Sequence, residues 1–328
     1  FWILVLNSWM HTPQGFEMHD GVAHATDWLA IIFNPSMPYR LAHSLLASGL
    51  TVAFLIASIS AFRILIGDKS EAVKTSLRTG IILAAGLIPL QILAGDLHGL
   101  NTLKHQPAKV AAMEGNWETG PNVPLLLFAL PDEETRSNQF ELGIPNGASL
   151  ILKHKPDGVV PGLNDFVAED GSVMHPPVWQ VFWSFRVMVG LGMLMLLMSW
   201  AGAFLMWRHR RQGRDITTIN PWYLRGLVAM GFSGWIATVA GWYTTEIGRQ
   251  PWVVSGVLTT EQAVAGVAAP MVLGTLIAYT VIYVGLLVTY ISVLAYLARK
   301  AALGDGQSSP APESTKIAQA HIAMLPAE

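Results

Sequence analysis

"VFWSFRVMVGLGMLMLLMSWAGAFLMW" occupies residues 181–207 and runs directly into "RHRRQGR" at 208–214. As a helix this stretch is about 40 Å long, more than the ~30 Å of a bilayer's hydrocarbon core. A single ionisable side chain, Arg186, interrupts it. In lipid the backbone must satisfy its own hydrogen bonds, which a continuous helix does. This reading decides the fold class: an all-α polytopic membrane protein built as a transmembrane helix bundle.

The composition of the whole chain agrees. Of 328 residues, 52% are hydrophobic and 13% charged, against about 25% charged in soluble domains, and the mean hydropathy is +0.42. The net charge of -2 points to no particular partner, and the lack of any basic stripe interleaved with aromatics argues against nucleic acid. Cysteine is absent. Disulfides, iron–sulfur clusters and thiolate metal sites are therefore excluded, and any redox centre must be held by nitrogen, oxygen or methionine sulfur.

Five segments are long enough to span: 40–66, 78–96, 179–207, 221–245 and 265–298. The second is the weakest, being short and interrupted by Pro89. Residues 1–9, "FWILVLNSW", are apolar but too few to cross, and they lack the basic region and cleavage site of a signal peptide. They read as the end of a truncated span, and the chain as a fragment of a longer protein. The expected organisation is an outer loop at 10–39, a helix pair at 40–96, a long outer loop at 97–178, three helices at 179–298 and a disordered tail at 299–328. Arg63, Lys69, Lys74 and Arg78 mark one inner loop and Arg208, Arg210, Arg211 and Arg214 another. That positive-inside pattern leaves the tail in the cytoplasm. Within 97–178, "VPLLLFAL" and "SLILK" read as strands.

Of ten histidines, only His43 lies inside an apolar span, where an ionisable side chain is costly and faces a cavity, a partner or a cofactor. It reads either as a packing residue or as a heme or metal ligand. Met188 reads either as core filler or as a thioether ligand, the second favoured by Gly190, Gly192 and Arg186, since a buried arginine needs an anion. In "GWYTTEIGRQPW" (241–252), Glu246 and Arg249 make either a weak i,i+3 ion pair or an iron ligand with its electrostatic neighbour. Lys109 and Glu114, about 140° apart on a helix, are either a solvated turn or a headgroup site for a lipid-soluble substrate. Asp96 and His98 in "AGDLHGL" are a helix-end turn or a proton-exit group.

Four stretches, "HSLLASG", "QPAKVAAMEGNWET", "FWSFRVMVGLG" and "GRQPW", together resemble subunit I of the cytochrome bd quinol oxidases, over essentially all of 1–300. The compact loop with "GDLHGLNTLKHQPAK" resembles the short-loop, cyanide-insensitive branch. The resemblance implies His43 and Met188 as axial ligands of a low-spin heme b, with Arg186 beside them. It implies Glu246 as ligand of a high-spin heme b near heme d (or a further heme b), and Arg249 near a propionate. Lys109 and Glu114 match the loop pair that binds and oxidises ubiquinol or menaquinol. The implied activity is electrogenic oxidation of quinol at the periplasmic face of the bacterial inner membrane, with reduction of dioxygen to water and no pumping. Subunit II and a small accessory subunit are the implied partners, beside membrane lipid. Family members carry further amino-terminal helices, so the fragment alone is expected to be inactive. A proton-coupled secondary transporter and a non-catalytic b-type heme electron-transfer subunit are the alternatives.

Overall fold

A computed structural model describes residues 1–169 and 171–303. The chain begins with α1 (Trp2–His11), a hairpin of β1 (Phe16–His19) and β2 (Val22–Ala25), and the short α2 (Trp28–Ile32). Two long helices follow, α3 (Met37–Leu65) and α4 (Glu71–His105), then α5 (Pro107–Glu114). The long loop holds a hairpin of β3 (Leu125–Asp132) and β4 (Ser137–Ile144), followed by α6 (Gly147–Lys153). After α7 (Val178–Arg211) come α8 (Pro221–Ala229) and α9 (Ser233–Ile247), separated by a 3-10 turn at Met230–Phe232. A small hairpin of β5 (Trp252–Val254) and β6 (Leu258–Thr259) leads to α10 (Ala269–Leu303).

Among the described residues, five helical segments are long and apolar enough to cross a membrane: Trp28–Leu65, Glu71–His105, Val178–Arg211, Pro221–Ile247 and Ala269–Ala302. The number matches the sequence expectation, while several of the ends move. The second span is the largest correction: α4 runs unbroken through Pro89 to His105, so Asp96 and His98 lie within a helix and not at its end. A proline removes the N–H that would bond the carbonyl four residues earlier. That carbonyl, Ala85 O, accepts from Trp200 Nε1 at 3.2 Å. Tolerance of this kind is what neighbouring helices provide to proline in membranes. The other correction is "SLILK", which folds as α6 and not as a strand; a five-residue apolar run carries no period that distinguishes the two. The hairpin strand within "VPLLLFAL" is as expected. Of the expected disordered tail, residues 304–328 lie outside the described residues.

The bundle core is narrow and made of small and medium side chains. Ala57 and Ala61 of α3 meet Leu77 and Ile81 of α4 and Leu224 and Leu227 of α8. Nearer the middle, Phe54, Ala84, Ile88 and Met195 continue the seam. Gly80 permits the closest approach: a Cβ there would stand 2.8 Å from Ala57 N and 2.9 Å from Ala53 O. Small residues at crossings let backbones approach where the hydrophobic effect between helices is lost. Outward, Ile82, Leu90, Leu197 and nearly every side chain of α10 are exposed, as lipid-facing surfaces are. At the end bearing the basic loops, Lys74 Nζ reaches Asp215 at 2.6 Å and Arg63 reaches Asp68 at 2.6 Å, tying α4 to the α7–α8 connection and closing the α3–α4 turn.

Candidate functional site

Glu246 lies at the end of α9, where an apolar helix meets the turn at 248–251. Its Oε2 accepts from Arg249 Nη2 at 2.6 Å, and its Oε1 accepts from Asn7 Nδ2 of α1 at 2.6 Å. His11 Nε2 lies 3.9 Å from the same Oε1. The arginine side chain is only 10% exposed, so this is no solvated i,i+3 pair. Arg249 Nε and Nη1, His11 Nε2 and Asn7 Oδ1 are all buried without a hydrogen-bond partner. Buried polar groups are seldom left unpaired. The three donors among them, Arg249 Nε and Nη1 and His11 Nε2, fit an anionic, oxygen-bearing group such as a heme propionate, with Glu246 as a hard oxygen donor beside it.

The neighbours of this cluster are held from three directions. His11 Nδ1 accepts from Lys109 Nζ at 3.0 Å and from Gln106 Nε2 at 3.1 Å. Two donors on Nδ1 assign the neutral ring's proton to Nε2, on the side of Glu246. Lys109 Nζ also donates to Thr245 O at 3.1 Å, and burial, with Arg40 and Arg249 near it, pushes its ammonium well below the usual lysine range, Glu246 opposing. Gly248 makes room for that lysine: a Cβ there would sit 3.0 Å from Lys109 Cγ. The loop after Glu246 is fastened to α1 and α5, with Ser255 N donating to Met10 O at 2.9 Å and Gln106 Nε2 donating to Ser255 Oγ at 3.1 Å. A cleft of about 600 Å³ opens beside these residues, lined among others by His11, Gln106, Lys109, Arg249 and Trp252.

α5 begins at Pro107 and ends on Gly115 with φ +65°, a left-handed cap that suits glycine. Its length turns Lys109 and Glu114 to different sides, as their spacing predicts. Glu114 Oε2 meets Arg186 Nη2 of α7 at 3.1 Å. Arg186 Nε donates to Leu126 O at 2.7 Å, its Nη1 donates to Met113 O, and its guanidinium lies 4.2 Å above the Phe182 ring. The anion that the buried arginine demands is thus met by Glu114. Burial raises the Glu114 carboxyl pKa, with Arg186 opposing. Glu114 lines a separate cleft of about 380 Å³ with Trp117, Arg136 and Asn138. The two loop residues therefore open onto different clefts.

His43 and Met188 sit on α3 and α7. The His43 ring is turned to α4: its Cε1 would lie 3.2 Å from a Cβ on Gly95, and its ring centroid is 5.7 Å from that of His98. Gln91 Nε2 stands 3.1 Å from its Nε2 and 3.3 Å from its Nδ1. An atom nearly equidistant from both nitrogens lies along the lone pair of neither, so His43 retains a nitrogen able to act as a ligand. Met188 Sδ is turned to α9, 2.7 Å from where a Gly241 Cβ would be. The two side chains are therefore not placed directly upon one another. Gly190 and Gly192 border open space. An imidazole and a thioether, each beside glycine in an apolar helix, are a donor set that fits a low-spin heme.

Sequence reading missed Asn7, His11, Arg40 and Gln106. Asn7 is the polar interruption of "FWILVLNSW", and Arg40 is a cation 5% exposed at the start of a span. Both are polar groups where apolar ones are expected, the signal that selected His43.

A family model described as cytochrome bd terminal oxidase subunit I matches residues 1–302. The chain is 36% identical over 292 residues to cytochrome bd ubiquinol oxidase subunit 1 of Bacillus subtilis (strain 168), covering 86% of this chain and 61% of that protein. It is 28% identical over 364 residues to cytochrome bd-II ubiquinol oxidase subunit 1 of Escherichia coli (strain K12), covering 91% and 69% respectively. Among solved structures, the bd oxidase from Geobacillus thermodenitrificans aligns with a TM-score of 0.79 and 33% identity over 91% of this chain and 66% of that one. The chain thus spans about three fifths to two thirds of the relatives it matches. With a match over nearly its whole length, the chain belongs to the cytochrome bd terminal oxidase subunit I family.

Proposed function

We propose that this chain is the heme-bearing part of a quinol:oxygen oxidoreductase of the bacterial inner membrane. The observation that carries the reading is the cluster around Glu246, where Asn7 and Arg249 donate to one carboxylate at the end of an apolar helix while Arg249 Nε and Nη1 and His11 Nε2 stay buried without a partner. Family membership and relatives named as ubiquinol oxidase subunits support the same reading.

Hemes, when bound, supply the one-electron steps between quinol and dioxygen. Glu246 would hold the iron of a high-spin heme b of the kind paired with heme d or a further heme b, and Asn7 and Arg249 fix the direction of its carboxylate. Such outer partners orient a ligand and keep it in its charged form. The free Arg249 donors bind a propionate. His43 and Met188 would hold a low-spin heme b, which supplies electron transfer there, and Arg186, through Glu114, holds α5 against α7. Lys109, whose charged form burial disfavours, would accept a hydrogen bond or a proton from the hydroxyl of ubiquinol or menaquinol. Glu114 provides a second acceptor on the far side of α5. Quinol protons leave at the periplasmic face, where the long loop lies, while protons for water enter from the cytoplasm. Charge separates without pumping. Subunit II, with a small accessory subunit, completes the complex.

The full-length complex tests this directly. Quinol-dependent oxygen consumption with a b-type pyridine hemochrome is the expected result. Proton-coupled solute uptake by a protein without heme absorbance would contradict it, and heme without oxygen consumption would reduce the role to electron transfer.

A further inference from the structure

The hairpin after α1 carries a side-chain cluster that the oxidase reading does not use. Asp20 and Gly21, both at positive φ, turn β1 into β2, and Glu17 pairs with His24 while His19 pairs with Val22. Residues i and i+2 of a strand share a face with the residue opposite either of them. Glu17, His19 and His24 therefore project from one face. Glu17 Oε2 is 3.5 Å from His19 Nε2, and the two imidazole centroids are 5.5 Å apart at 62°.

These separations are close to those of ligands sharing one ion. Two donors about 2.0–2.1 Å from a tetrahedral metal stand about 3.3 Å apart, and two imidazoles on it have centroids about 5.2 Å apart. Glu17 and His19 are 67% and 64% exposed, and His24 is exposed as well. The hairpin base is anchored, with Thr26 N and Asp27 N both donating to Gly15 O and Phe16 packed edge-on to Trp9. As the side chains stand, no three donors among the described residues enclose a metal ion. His24 is exposed, and rotation about its side-chain bonds is what would bring a ring nitrogen into this set.

We propose that Glu17, His19 and His24 form a surface site for a divalent transition-metal ion, of the zinc or copper class. Two imidazoles and one carboxylate suit these ions, whereas magnesium and calcium prefer oxygen alone. Water fills the remaining coordination positions. The inference does not rest on the oxidase reading.

The test is Cu²⁺ and Zn²⁺ titration of the purified complex, carrying no polyhistidine tag, followed by electron paramagnetic resonance and by competition with a chelating dye. The expected result is one saturable Cu²⁺ equivalent per chain with a two-nitrogen superhyperfine pattern. His19→Ala and His24→Ala each weaken binding by at least about tenfold, since even outer-shell changes cost about 10–100-fold. Glu17→Gln keeps both nitrogens in the spectrum and weakens binding. An unchanged thermal transition in these exposed variants establishes that they fold. No saturable binding overturns the proposal, as does a signal that survives the His19→Ala/His24→Ala double variant.

Discussion

Replacing Glu114 with glutamine keeps the shape of the side chain and removes its charge, leaving Arg186 as a buried cation. The two side chains are 6% and 9% exposed and meet at 3.1 Å. A guanidinium stays charged at any working pH, so Arg186 is left with neutral acceptors only, the carbonyls of Leu126 and Met113 and that of the glutamine itself. Breaking a buried pair from one side costs about 3–5 kcal/mol. Hydrogen bonds to neutral carbonyls remain, so we expect the lower end, about 3 kcal/mol, measured between pH 5 and 8. The reverse change behaves differently. In Arg186→Leu the orphaned Glu114 escapes by protonation, a direction burial already imposes on it. A carboxyl whose folded pKa is raised contributes stability that is present below its unfolded value and lost as pH rises through the folded one. The Arg186→Leu penalty therefore grows with pH, by at most about 1.4 kcal/mol per pH unit. Equilibrium unfolding of the purified complex in mixed micelles, followed by tryptophan fluorescence, reads both. A Glu114→Gln cost under about 1 kcal/mol, or an Arg186→Leu penalty flat across that pH range, would refute the reasoning.

Three further expectations rest on single contacts. Trp200→Phe removes the donor to Ala85 O and costs about 0.6 kcal/mol, the average for such bonds in membranes; with Pro89→Ala, which restores the helix N–H, the same change costs close to nothing in a double-mutant cycle. Gly80→Leu drives a side chain into the backbone of α3, whose Ala57 N is 2.8 Å from the Cβ position; it lowers stability by about 1–3 kcal/mol or more in a thermal melt, whereas Gly86→Ala, bordering open space, does not. Lys109→Met removes a buried amine whose folded pKa lies below its unfolded value. That amine's contribution is present above the ordinary lysine pKa and lost as pH falls through the lowered one, so the variant gains stability over the wild type at neutral pH, and the gain vanishes above about pH 10.5.

Much of the fold was legible because lipid imposes a simple rule. A run such as 181–207 must be a helix, and five such runs yield the five spans. What escaped was set by partners distant in sequence. The length of α4 past Pro89 depends on Trp200, 111 positions away. The α6 segment carries too few residues for its period to show. At the site, Glu246 and Arg249 were legible as an anomaly, polar groups closing a greasy helix. Asn7 and His11 were not, because only the tertiary fold brings α1 against the end of α9. The expectation that Arg186 meets an anion was sound in its physics. Glu114, rather than a cofactor alone, satisfies it, and no spacing within the sequence links residues 72 apart.

The central claim is that His43, Met188 and Glu246 are heme ligands. Its most direct measurement is the reduced-minus-oxidised optical spectrum of the full-length complex carrying Met188→Leu. Leucine fills similar volume but has no sulfur to offer iron, so loss of the low-spin heme b signal, with the high-spin features near Glu246 retained, is the predicted result. A spectrum indistinguishable from that of the wild type would contradict the account.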